Sequence, residues 1–296
     1  YAFETARERV QKFLNAGSPD EIVFTANVTA AINLVANSFG RAFLREGDEV
    51  IVSEMEHHAN IVPWQMLAEA TGVKLKVAPV EDDGSFRLER FAELLTERTK
   101  FVAITHCSNV LGTRVPAKEL VRLAHDAGAK VLLDGAQAAV HGPVDVRDLD
   151  ADFYGFTAHK LYGPTGLGVL YGKLDLLNAM PPWQGGGEMI EKVSFKGTTY
   201  KEAPHRFEAG TPAIVEAIGL GAAIVYVEEL GRDAIAAHEH GLLAHANERL
   251  SAIEGVRLIG TAADKAAIVS FLVDGIHPYD VAAVLDRQGV ACRVGL

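Results

Sequence analysis

The sequence predicts an α/β fold with a mostly parallel sheet flanked by helices, and three observations predict it. Short β-branched runs recur at residues 21–24, 49–53, 73–77, 100–105 and 130–134. Segments with helical spacing of apolar residues lie between them, at 29–44, 61–71, 88–95 and 117–127. No internal repeat or low-complexity tract interrupts that alternation. Strand alternating with helix is the pattern of parallel sheets whose faces are covered by helices. In the segment 29–44, Ile32, Val35 and Phe39 fall on one face, as a packed helix requires. Further strands are expected at 152–156 and 168–171.

From Pro212 the pattern changes. Two long helices, 212–230 and 233–253, precede strands at 256–259 and 267–273, a helix at 278–288 and a strand at 290–293. That order predicts a large domain over residues 1–228 and a partial, smaller α+β domain over 229–296.

Composition narrows the function. Apolar residues make up 49% of the 296-residue chain and charged residues 23%, as in a globular protein. A net charge of −11 without a basic block argues against nucleic acid or an anionic membrane surface as main partner. The longest strongly apolar stretch, 217–227, has 11 residues, where a membrane span needs about 20. Cys107 and Cys292 stand far apart and form no disulfide framework. With no secretory leader expected, a reducing, cytoplasmic location follows. The chain begins inside a helical pattern and stops at Val294-Gly295-Leu296, so a piece of a longer protein is expected.

Ligands of open α/β sheets sit at the carboxyl ends of the strands. Asp134 ends the run 130–134, where a carboxylate can pair with a cationic ring nitrogen or simply cap a helix. Gln137 follows three residues later and can reach the same ligand. Lys160 lies just past the next strand, in an aromatic and glycine-rich loop. A Schiff-base lysine must lose its proton and so needs such a desolvated place. Taken singly, it also fits a solvated surface charge. Thr157 and His159 flank it, as phosphate donors or as turn residues. Residues 25–29 join a strand to a helix whose first N–H groups suit an anion, with Thr29 adding a hydroxyl; an ordinary cap is the alternative. His57 and His58 follow another strand, and one imidazole can stack on a planar ring. No ligand spacing for zinc stands out, so no metal site is expected. The joint order raises these weak signals: phosphate turn, stacking histidine, strand-end aspartate, then lysine.

Five longer segments go further. Glu56-His57-His58-Ala59-Asn60-Ile61-Val62-Pro63-Trp64-Gln65, Ser108-Asn109-Val110-Leu111-Gly112, Asp134-Gly135-Ala136-Gln137, His159-Lys160-Leu161-Tyr162-Gly163-Pro164-Thr165-Gly166 and Phe207-Glu208-Ala209-Gly210-Thr211-Pro212 resemble the SufS-type cysteine desulfurases of the class V aminotransferase superfamily. The resemblance covers essentially the whole chain and implies the fold type I of pyridoxal-phosphate-dependent transferases.

It also implies roles. Lys160 would hold pyridoxal 5′-phosphate as a Schiff base and later move protons at the substrate α-carbon. Asp134 would pair with the ring nitrogen, and Gln137 would bond the ring hydroxyl. His57 would stack on the ring and join in proton transfer. Val28 through its backbone, Thr29, Thr157 and His159 would hold the phosphate. Thr211 would reach the phosphate of a neighbouring subunit, so a homodimer is implied. Asn109 would lie on the substrate side, and Arg293 near the active site. L-cysteine would yield L-alanine and an enzyme persulfide, passed to a sulfur-acceptor protein for iron–sulfur cluster assembly. L-selenocysteine is a second candidate substrate.

The chain departs from the family pattern in places. Val28 stands where a threonine is usual, and Thr157 where serine is common. Cys107 replaces an aliphatic residue and reads as a small buried hydrophobe. The sulfur-attacking cysteine of the family follows an Arg-x-Gly segment that matches Arg293-Val294-Gly295, so it would lie beyond Leu296. Cys292 precedes that arginine, is expected in a strand and takes no such role. On that match this chain would form no persulfide efficiently. An aminotransferase or other lyase of the same superfamily, or an inactive fragment, remain the alternatives.

Overall fold

In the strand Lys130–Asp134, Val131 and Leu133 point to one side of the sheet and Leu132 to the other, and all three are buried. That two-residue period, repeated in neighbouring strands, builds two apolar layers. The computed structural model describes residues 1–295. Its main sheet has seven strands: β1 Ile22–Thr25, β2 Glu49–Ser53, β3 Lys74–Ala78, β4 Thr99–Thr105, β5 Lys130–Asp134, β6 Phe153–Thr157 and β7 Gly168–Gly172. Their order is β1-β7-β6-β5-β4-β2-β3. β7 runs antiparallel to both neighbours and the other pairs are parallel, so six carboxyl ends share one edge. The expected α/β class with a mostly parallel, helix-flanked sheet is what the chain adopts.

Helices Ala2–Phe13, Ala117–Asp126 and Ile214–Leu230 cover one face through Val10, Phe13, Leu120, Ala124, Leu220 and Ile224. Helices Val28–Val35 and Val62–Thr71 cover the other through Ile32, Val35, Trp64 and Leu67. Burying a side chain as large as these stabilises the fold by about 1.5–3 kcal/mol each.

Two expectations need correction. The segment 29–44 is not one continuous helix: after Val35 a wider turn spans Ala36–Gly40, and a short helix Arg41–Phe43 follows. Side chains compete for backbone carbonyls there, with Asn37 Nδ2 donating to Asn33 O and Ser38 Oγ to Pro181 O. The segment 290–293 is irregular rather than a strand, so Cys292 lies in exposed, non-repetitive chain. The small sheet consists of Val256–Ile259 paired antiparallel with Ser270–Val273, and residues 290–293 pair with neither. An extended segment without a neighbour has no ladder to join. A hairpin of Ile190–Ser194 and Gly197–Tyr200 has no counterpart in the sequence reading. Its outer face is exposed and mixed in polarity, so no period of two announces it. Among the described residues no helix is long and apolar enough to cross a membrane.

Candidate active site

Five parallel strands deliver the side chains of one cavity of about 250 Å³. β1 leads to Asn27, Val28 and Thr29; β2 to His57; β4 to Thr105, Cys107 and Asn109; β5 to Asp134, Ala136 and Gln137; β6 to Thr157, His159 and Lys160. Each group comes directly from a strand's carboxyl end, where side chains turn inward once the ladder stops.

Local chemistry fixes each wall. Asn27 caps the helix Val28–Val35, its Oδ1 accepting from Ala30 N at 2.8 Å. The helix therefore starts at the cavity with its positive dipole end toward it. Gly168 of β7 permits that turn, since a Cβ there would stand 2.3 Å from the Asn27 carbonyl carbon. Gly135 has the same kind of role on the other side. A Cβ at Gly135 would lie 2.1 Å from the Tyr154 ring, which packs beneath Asp134. Tyr154 is fully buried and its hydroxyl pairs with His106 Nδ1 at 3.2 Å. Burial drives the Tyr154 phenol well above its usual range and His106 down to about 4, so both are neutral near pH 7.

Asp134 is 3% exposed, and its one hydrogen bond comes from Ala136 N at 3.0 Å. Burial raises its pKa, and the Ala136 N–H, Lys160 and His57 offset this only in part. Lys160 moves the opposite way. Burial lowers its pKa and Asp134 offsets this only in part. Among the described residues neither group enters an ion pair, so an acid and a base share one cavity with their charges unmatched. Such an arrangement suits a ligand that brings a cation to one and an electrophile to the other.

His57 Nδ1 accepts from Ala59 N at 3.1 Å. In its neutral form the ring therefore carries its hydrogen on Nε2. Burial holds its pKa below the usual value, followed by Asp134, which raises it, and Lys160, which lowers it. Thr157 Oγ1 lies 3.0 Å from His159 Nδ1 and so orients that imidazole at the cavity wall.

Thr211 and Arg293 stand apart from these residues. Thr211 borders a separate hollow of about 270 Å³ with Gly166, Trp183 and Glu208. Arg293 lines a groove of about 710 Å³ that meets the main cavity at Asn109. Sequence reasoning missed Glu56, which holds the His57 loop from behind. Its carboxyl accepts from Ser53 Oγ at 2.5 Å, Asn60 Nδ2 at 2.7 Å and Thr105 N at 2.9 Å, and Asn60 in turn accepts from Trp64 Nε1 at 3.1 Å. A glutamate next to a paired histidine gives no sequence signal of its own; the nearby Asn60 and Trp64 at helical spacing were the available hint. Cys107 also lines the cavity, buried, with its thiol pushed up to about 11 by that burial.

A family model described as Aminotransferase class-V matches residues 1–296. The chain is 55% identical over 294 residues to a cysteine desulfurase of Synechococcus elongatus, covering 99% of this chain and 47% of that one. It is 53% identical over 295 residues to a cysteine desulfurase of Pectobacterium atrosepticum, covering 72% of that chain. The chain thus spans about half of the first relative and less than three quarters of the second. Among solved structures, the cysteine desulfurase CsdA of Escherichia coli in its S-sulfonic acid form superposes with a TM-score of 0.95 at 42% identity, covering 98% of this chain and 72% of that one. A C-DES variant with glycine covalently linked to its PLP cofactor gives a TM-score of 0.86 at 27% identity, covering 99% and 77%.

Proposed function

The chain belongs to the aminotransferase class-V family and, within it, to the cysteine desulfurases, and on that footing we propose that it binds pyridoxal 5′-phosphate and takes sulfur from L-cysteine. The observation that carries the reading is the buried Lys160 beside the buried, unpaired Asp134 at adjoining strand ends. A free amine at low cost of deprotonation and a carboxylate without a cation are the two groups this cofactor needs.

The cavity residues fit the group. Lys160 Nζ would hold its aldehyde carbon, and Asp134 its ring nitrogen. The helix start at Val28 and Thr29, with Thr157 and His159, would hold the phosphate. Gln137 would meet the ring oxygen, and His57 would lie against the ring. Once bound, the cofactor supplies an electron sink for charge developing at the substrate α-carbon. Lys160 takes the α-proton from L-cysteine and returns it. His57 presents its Nε2 hydrogen over the cavity, which makes it a donor in its neutral form. Asn109 and Arg293 border the side from which substrate enters. The sulfur passes to an enzyme thiolate as a sulfur–sulfur bond forms. The electron pair of the broken carbon–sulfur bond stays with carbon, which takes up a proton and leaves as L-alanine. Cys107 is unsuited to supply that thiolate, being buried and too weakly acidic.

Further parts of the reading concern the whole protein. A homodimer would bring Thr211 to a neighbour's phosphate, and an acceptor protein would carry the sulfur on. The division into residues 1–228 and 229–296 goes with this reading, as does a cytoplasmic location. Replacing Lys160 with Ala is the test: the visible absorption band of lysine-bound pyridoxal phosphate should form with the unmodified chain and be abolished in the variant. An unchanged band in Lys160→Ala would remove the lysine from its role.

A further inference from the structure

Gln137 touches the cavity on one side and His141, one helical turn on, on the other. The His141 Nε2 lies 3.2 Å from Gln137 Oε1, and its Nδ1 lies 2.8 Å from Glu239 Oε2. Glu239 comes from the helix Arg232–Ser251, far along the chain. Both partners are mostly buried, His141 with 14% and Glu239 with 21% of the side chain exposed. Arg114 borders the same turn, donating from Nη2 to the His141 carbonyl at 2.9 Å.

Hydrogen-bond bookkeeping then decides how Gln137 faces the cavity. A carboxylate only accepts, so His141 Nδ1 carries hydrogen. An amide oxygen only accepts, so with Oε1 turned to the ring, Nε2 of His141 carries hydrogen too. Gln137 Nε2 is left over. Among the described residues no protein acceptor takes it, and Gln137 lines the cavity. Without the Glu239 charge, the ring settles with a single hydrogen. The amide then turns over to donate to His141 Nε2 and shows its oxygen to the cavity.

We propose that Glu239 is a positioning residue which, through His141, holds the Gln137 amide with its N–H groups toward the cavity, so that this point recognises an oxyanion on the ligand ring rather than a hydroxyl donor. The proposal rests on the pyridoxal-phosphate reading and extends it, because it makes cofactor recognition depend on a helix outside the cavity. A charge-assisted contact of this kind is stronger than a neutral one and more selective in direction.

Two measurements test it. The first needs no ligand: the 15N shifts of the His141 ring in the cofactor-free protein should be those of a ring with hydrogen on both nitrogens. A ring with one bare nitrogen overturns the proposal. The second is a double-mutant cycle on the dissociation constant for pyridoxal phosphate, read by absorbance. Glu239→Gln should weaken binding about tenfold, the scale of one lost charged hydrogen bond. In a Gln137→Ala background the same change should weaken it less than about twofold, since the two act as one unit. Equal losses in both backgrounds, or none in either, overturn the proposal. If the unmodified chain binds no pyridoxal phosphate, the cofactor reading fails instead, and the ring measurement alone decides whether the relay exists.

Discussion

Asp152, at the amino end of β6, and Asp134, at the carboxyl end of β5, are buried carboxylates of one sheet, 0% and 3% exposed. At Asp152 the partners are complete. His125 Nε2 lies at 2.7 Å, Lys130 Nζ at 3.2 Å, Lys173 Nζ at 3.5 Å and Val131 N at 2.9 Å. Burial raises its pKa, yet His125, the Val131 N–H and Lys173 together more than offset it, and the net result is below the usual carboxylate range. At Asp134 the burial is similar, one backbone N–H is the whole retinue, and the net shift is upward. Glu56 falls between, with three donors and no cation, and its carboxyl is pushed up to about 7 by burial. Burial alone therefore does not tell a structural carboxylate from a functional one. The number of cations around it does, because unpaired buried charge is tolerated only where something else will meet it.

The comparison can be broken at three points. Asp152→Asn strips the charge that three basic groups share, and the loss should be roughly 4 kcal/mol by urea unfolding, the scale for one partner removed from a buried ion pair. Cofactor affinity should stay as it was, and a neutral effect on stability would show that the cluster is not structural. Glu56 should make stability depend on pH. The folded protein keeps that proton up to about 7, whereas the unfolded chain releases it near 4.5. The folded state thus binds more protons in that window, so stability contributed by the protonated group is full below the lower value and falls as pH rises through the upper one, by roughly 3 kcal/mol. Glu56→Gln should flatten that part of the profile; a slope that survives the substitution assigns it to another group. Asp134→Asn should have the smallest effect on stability and the opposite sign, a gain of about 1 kcal/mol from removing an uncompensated buried charge. Its cofactor affinity should fall at the same time. A large loss of stability at Asp134 would erase the distinction from Asp152.

The sequence carried the alternation of strand and helix, and five motif segments carried the family. Period-two burial at Val131, Leu132 and Leu133 and helical burial at Ile32 and Val35 are local properties, legible because neighbours along the chain determine them. Asp134, Lys160 and His57 were nameable for the same reason: each follows its own strand within a few residues. The interruption at Ala36–Gly40 and the irregular course of residues 290–293 were not, since one depends on a contact with Pro181 and the other on having no strand beside it. Nor could spacing tell Asp134 from Asp152. The two differ by which distant side chains reach them: His125, Lys130 and Lys173 converge on one, and none converges on the other. The Gln137–His141–Glu239 chain is of that kind as well, joining residues 98 positions apart. Local hydrogen bonding and periodicity act over a few residues and are written in sequence order, whereas charge matching in a low-dielectric interior acts through space and is settled only when the tertiary fold assembles the partners.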